Sequence, residues 1–454
     1  MSGIILHLPV PPLLYFFVSG CMSVRSKILL ALSLLPFLSA CGDRTKTEGG
    51  TGKPTAKALD FHYNNDDVVA PSQALANSKL PVDIYLDATY SMQGFARPEA
   101  TNFSRLLDGI EATVQNAAKS SDIRFFKYGR SVAPLERSAF IAARNSPALW
   151  NDKDFRSETN FAQAVDSTDP GRVSIFITDL FYSNADANKV VAAIQEKCFK
   201  NGVEMGLLGL QSKFDGYVAD VQPPVKVVGD RPLYMLVFGS KANINLIFSA
   251  FKNQPYVQAD QALLLTRFPI KSFTASVTKA KDSKAINISS ARNQFASLGN
   301  VFAFNWNPSK GDQATVDYSI SYVAEPYALP INADNIKAHI FRKDNAARDS
   351  VADEQGLSLQ PTKVGSGKID GKAQTKLTLA EDGYSAYQVT WQYDNLGKVE
   401  LPKWITSNST QDFRQGNDEN KTLGLDNFVR SLAVSSATQF EPKYGRMYLV
   451  FIRK

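Results

Sequence analysis

From Leu80 to Gln254 the chain alternates short apolar-rich runs with stretches of helical period. Val82–Leu86 and Val173–Thr178 read as strands buried on both faces, as expected in the middle of a parallel sheet. Between them "NFSRLLDGIEATVQNAAKS" carries Phe103, Leu106, Leu107, Ile110 and Val114 on one helical face. "DIRFFKYG" and "SVAPLE" form a strand pair turned at Gly129–Arg130. A helix through Val190, Val191, Ile194 and Cys198 stops at Asn201–Gly202, where glycine suits a left-handed end. "VEMGLLGL" and "RPLYMLVFGS" are further strands, and "ANINLIFSAFKN" is a closing helix. This alternation predicts a doubly wound, Rossmann-like α/β domain, with a mostly parallel sheet covered by helices on both faces.

After Gln254 the period changes to two. Phe302, Phe304 and Trp306 share a face, as do Val316, Tyr318, Ile320 and Tyr322, and then Tyr387, Val389, Trp391 and Tyr393. Such alternation predicts half-buried antiparallel strands, so residues 256–454 form a β-rich, sandwich-like domain. One helix is expected in "GLDNFVRSLAVSSA" and a last strand in "RMYLVFIRK". No internal repeat occurs.

The first 40 residues read as an export signal. Met22 begins a stretch with cations at Arg25 and Lys27, an apolar run Ile28–Leu38 and small residues before Cys41, with Met22 as the expected true start. The run is too short for a membrane-spanning helix. "Leu38-Ser39-Ala40-Cys41" resembles the bacterial lipobox, which implies that Cys41 is lipidated (palmitate among its chains) and becomes the first mature residue. That resemblance implies a lipoprotein held at the bacterial membrane and facing the periplasm or cell exterior. Gly42 in place of Asp points to the outer membrane. A signal cleaved without lipid is the alternative. Residues 41–77 are polar and Gly-rich, a flexible linker. With Cys21 and Cys41 in the leader and anchor, Cys198 alone remains and is expected to be a buried, inert thiol.

Composition narrows the partners. A net charge of +6 on 454 residues, with no dense Lys/Arg stripe, argues against nucleic acid. "GGTGKPT" and "VGSGKID" both lack the full phosphate-loop pattern. The 3 histidines, His7, His62 and His339, are scattered, and no Gly-x-Ser-x-Gly elbow appears, so an extracytoplasmic hydrolase is the weaker reading and no catalysis is expected.

The informative stretch is "VDIYLDATYSM". Asp87 ends one buried strand and Asp179 ends another, "VSIFITD"; ligands in open α/β sheets bind beyond such carboxyl ends. Asp87, Thr89 and Ser91, with Thr159 on the intervening segment and Asp179, make an oxygen-only set suited to Mg²⁺, which keeps open water positions. Each part also has a plain explanation: a hydrogen-bonded turn for Asp87, Thr89 and Ser91, and helix or segment caps for Thr159 and Asp179.

Taken together, "DATYSM", Thr159 and "ITD" resemble the metal-ion-dependent adhesion site of von Willebrand factor A (vWA) domains. The resemblance implies a vWA-like fold over residues 78–255. It implies Mg²⁺ (or Mn²⁺ or Ca²⁺) bound by Asp87, Thr89, Ser91, Thr159 and Asp179, and a protein partner whose acidic side chain completes the shell. The sequence departs from that pattern at Tyr90, Glu158 and Leu180, where glycine is usual. A metal-independent scaffold or assembly factor of the cell envelope is the alternative role.

Overall fold

Seven apolar-rich segments make one twisted sheet. They are Val82–Asp87 (β1), Ile123–Tyr128 (β2), Val132–Pro134 (β3), Val173–Thr178 (β4), Glu204–Val218 (β5), Val225–Gly239 (β6) and Val257–Leu265 (β7). The computed structural model describes residues 68–70, 79–119, 122–146, 148–180, 184–218, 223–281, 283–286, 298–331, 335–344, 351–353, 355–365, 367–379, 383–394, 399–412 and 418–453. The export leader, Cys41 and all of the linker except residues 68–70 lie outside them.

The strand order is β3-β2-β1-β4-β6-β5-β7. β1 pairs in parallel with β2 and β4, which buries it at every position. The flanks are antiparallel, at β2–β3, β4–β6, β5–β6 and β5–β7. The sheet is thus mixed, with a parallel centre. The pattern of apolar runs alone gave no warning of this. The physical reason is the link from β5 to β6, residues 219–224: a parallel return needs a crossover of about a dozen residues, and so short a link gives a hairpin instead.

Helices cover both faces. Gln93–Ala96 (α1) and Asn102–Ala118 (α2) precede β2, Arg137–Ala142 (α3) and Phe161–Asp166 (α4) precede β4, and Asn184–Lys197 (α5) and Lys241–Phe251 (α6) follow later strands. Ile84, Leu86, Ile175 and Ile177 point to the α2 and α6 side and pack with Phe103, Ile110 and Ile247. Tyr85 and Phe176 point the other way and stack at 4.4 Å between ring centres, against Phe161, Val190 and Ile194. Thr101 caps α2 through its side chain, accepting from Ser104 N. Gly202 closes the α5 region at φ 73°. Cys198 is buried there, and burial pushes its thiol up to about 12, so it is unreactive.

The remaining strands form two facing sheets. Ile270–Lys281 (β8), Ser283–Ile286 (β9), Val301–Trp306 (β10), Gln313–Ala324 (β11), Ile336–Asp344 (β12), Val351–Ala352 (β13), Leu357–Gly365 (β14), Lys368–Lys376 (β15) and Tyr384–Tyr393 (β16) precede a two-residue pair, Ser409–Thr410 (β17) with Thr422–Leu423 (β18), and Lys443–Arg453 (β19). One sheet runs β13-β12-β16-β19-β10-β9 and the other β14-β15-β11-β8. Tyr318 of β11 meets Trp391 of β16 across the interior at 5.4 Å between ring centres. Gly445 is needed where the sheets approach, because a Cβ there would lie 2.7 Å from Ile320 Cγ2. Two features differ from the alternation. β10 runs parallel to β19, and β16 is buried on both faces, its second side packing Tyr384 and Ala386 against Tyr448 and Val450.

Lys403–Ser407 (α7) and Leu425–Phe440 (α8) come from this late part of the chain. α8 does not cover the sandwich alone. Its Leu432 and Phe440 join the same core as Val190 and Phe199 of the α/β sheet, with Phe199 and Phe440 at 5.3 Å between ring centres. Among the described residues no helix is long and apolar enough to cross a membrane.

Candidate metal centre

The end of β1 sets the geometry. Asp87 is fully buried, and Ala88 N donates to Tyr128 O at 2.7 Å, which keeps the chain beside β2 for one more residue. Thr89 then takes an extended conformation and starts a single 3-10 turn, Tyr90–Met92. Its hydroxyl does not cap that turn; it donates to Asp87 Oδ1 at 2.6 Å, and Thr89 N donates to the same oxygen at 2.9 Å. Thr89 Oγ1 and Ser91 Oγ lie 3.2 Å apart. Three of the five sequence-derived positions therefore form one hydrogen-bonded string, all buried.

The neighbouring strand supplies the other side. Leu86 is in register with Ile177, so Thr178 falls beside Asp87, and its hydroxyl donates to Asp87 Oδ2 at 2.8 Å. Thr178 Oγ1 in turn accepts from Leu180 N at 3.2 Å. Asp179, also buried, sits between them in sequence. Leu180 has φ 52°, the left-handed region that glycine adopts without strain. Burial first and the charge of Asp179 second push the Asp87 carboxyl up to about 7, against the hydrogen bonds from Thr89 and Thr178.

Thr159 lies on the loop before α4. Arg156 O accepts from Tyr90 N at 3.1 Å, and Asn160 N donates to Gly129 O at 2.8 Å, so the loop is fastened on both sides of Thr159 to the ends of β1 and β2. Gly129 is required at that junction, since any Cβ would run into the Phe155 carbonyl. Thr159 is not the helix cap: Asn160 is, its side chain accepting from Gln163 N. Thr159 is half-buried, more open than the rest of the set. The hydrogen bonds of this loop to the site run through Arg156 and Asn160, and the string itself joins Asp87, Thr89, Ser91 and Thr178.

Several contributors were not legible from the motif. Thr178 needs the strand register to be recognised. Trp150 is buried and donates its indole N–H to Asp87 O at 3.1 Å, across 63 residues of chain. Tyr234 pairs in register with Thr178, and its hydroxyl lies 3.0 Å from Thr422 Oγ1, so the late part of the chain reaches this end of the sheet. The outer half of the β5–β6 hairpin runs past the end of β4 and folds over the 3-10 turn. Asn102 Nδ2 donates to Gln211 O at 2.8 Å, Phe103 N to Ser212 Oγ at 3.0 Å, and the Phe214 ring fills the space above Gly94. Buried Arg231 stacks its guanidinium 4.9 Å from the Phe214 ring centre. Tyr234 feels both Arg231 and Asp179, although burial is the main cause that raises its pKa.

The donor set can be tested against a hard cation. Two carboxylates and up to three hydroxyls are oxygen ligands of the type Mg²⁺, Mn²⁺ or Ca²⁺ accept. Among the described residues no group of three or more His, Cys, Asp or Glu side chains could hold a metal, so a cation here would rest on Asp87, Asp179 and hydroxyls. The crowding of two desolvated carboxylates is what a bound cation relieves, and the residues fit the group. No protein-family model matches this chain, and no curated protein matches it.

Proposed function

We propose that this protein is a membrane-anchored, extracytoplasmic binding module that takes a carboxylate from a protein partner through a divalent cation. Mg²⁺, Mn²⁺ or Ca²⁺ would be held by Asp87, Thr89, Ser91, Thr159 and Asp179, and lipid on Cys41 would tether the chain to the bacterial membrane. When bound, the cation supplies a Lewis-acidic coordination position for an outside oxygen. What supports the reading is the buried string of Asp87, Thr89 and Ser91 at the end of β1, with burial and then the charge of buried Asp179, at the end of β4, raising the pKa of the Asp87 carboxyl. A vWA-like assignment of residues 78–255 accords with a parallel β2-β1-β4 centre whose carboxyl ends carry these groups. Thr178 and Trp150 hold Asp87 in orientation, and the Arg156 and Asn160 bonds hold the Thr159 loop against it. Binding without catalysis suits the set, as His339, the one histidine among the described residues, lies far off in sequence on β12.

The test is partner capture from solubilised native membranes. Capture should fall with EDTA and with Asp87→Ala, and return to the wild-type chain with Mg²⁺. A second reading, a metal-independent envelope scaffold, draws support from the saturation of Asp87, both of whose oxygens already accept hydrogen bonds. Capture indifferent to EDTA and to the substitution would favour that scaffold.

A further inference from the structure

From the sandwich we infer that its open corner is a binding site for an anionic, single-chain amphiphile. A cavity of about 860 Å³ lies between β12 of one sheet and β14 of the other. That is within the range of small-molecule sites, about 300–1,000 Å³. Ile336, Ala338 and Ile340 line one wall and Leu357, Leu359 and Val364 the other, with Tyr318 and Trp391 also on the surface. The void has a sequence cause. The residue opposite the middle of β14 is Gly371, packed against the Tyr318 hydroxyl, and β12 contributes only Ala338 at its centre, so neither wall reaches across. Inward positions Ile336, Ala338, Leu359 and Val364 stay half-buried in consequence. Leaving such positions in water is unfavourable by about 25 cal/mol per Å² of apolar surface.

The charge at the rim selects the ligand. Lys337 and Lys363 are exposed lining residues of the same cavity. Lys337 reaches Asp394 at 3.8 Å, an exposed pair of the kind that contributes little and yields readily. Lys363 acts on Asp370, which Lys368 already holds at 3.1 Å. An apolar slot with two cations at its mouth matches an acyl chain with an anionic head. A peptide strand is the poorer occupant. β14 has Pro361, which donates no backbone N–H, and its pairing slips between Pro361 and Lys363, both features that turn strand addition away.

The experiment uses the full chain and 11-dansylaminoundecanoic acid as the fluorescent probe. Saturable binding is expected, with displacement by palmitate and by lysophosphatidylglycerol; whichever displaces at the lower concentration identifies carboxylate or phosphate as the preferred head. Ala338→Trp should fill the slot and abolish binding, and Leu359→Trp serves if that variant does not fold. Lys337→Glu with Lys363→Glu should weaken binding about tenfold, an easily read shift of 1.4 kcal/mol. Three results would overturn the site: no saturable signal, equal binding by the folded tryptophan variants, or displacement by an extended valine-rich peptide but by neither amphiphile.

Discussion

Between about pH 4 and 7 the Asp87 carboxyl is protonated in the folded chain and ionised in the unfolded one, because burial and Asp179 raise its pKa from 3.8 to about 7. The folded state binds the extra proton in that window, so stability falls as pH rises through it and levels off above the raised value. A melting series without divalent cations should show this loss, and Asp179→Asn should make it smaller by removing the facing charge while burial keeps part of it. A profile unchanged in that variant would mean the two acids do not interact. The string of Asp87, Thr89 and Ser91 was legible because Asp, Thr and Ser at a spacing of two stand out after an apolar strand. Thr178 was not, because a threonine inside a strand looks ordinary until register sets it beside Asp87. Trp150 was hidden for the same reason, since its partner is a backbone oxygen far away in sequence.

At the scale of elements, the β5–β6 hairpin packs on the segment that follows the site strand β1. Its outer half is clamped on the turn after β1 through two glycines in contact: a Cβ on Gly216 would lie 2.7 Å from Gly94 Cα. Gly216→Val should lift the ribbon and destabilise the chain by about 1–3 kcal/mol, the usual cost of overpacking. Urea melts would check it, and a midpoint equal to wild type would show that the contact is slack. Helices and strands were readable from period, and α2, α5, α6 and α8 lie where the apolar spacing predicts. Direction was not readable. The hairpin connection turned an expected parallel strand antiparallel, and β10 found a parallel neighbour in β19, Val301 pairing with Tyr448 far along the chain.

At the scale of the whole molecule, the two halves of the pattern are not independent. α8 buries Leu432 and Phe440 in the same core as Val190 and Phe199, and Thr422 meets Tyr234 at the site end of the sheet. A chain stopped after residue 266 should expose that apolar face, bind a hydrophobic dye and elute as aggregates; a cooperative, monomeric fragment would contradict the shared core. Period alone cannot reveal such a helix's destination, because it reports an apolar face without naming the surface that covers it. The most direct measurement for the cation site is calorimetric titration of Mg²⁺ into the purified chain near pH 8, with Asp179→Ala and Ser91→Ala alongside. One saturable site in the wild-type protein, lost in both folded variants, is expected; no heat, or equal heat in all three, would contradict a cation held at the ends of β1 and β4.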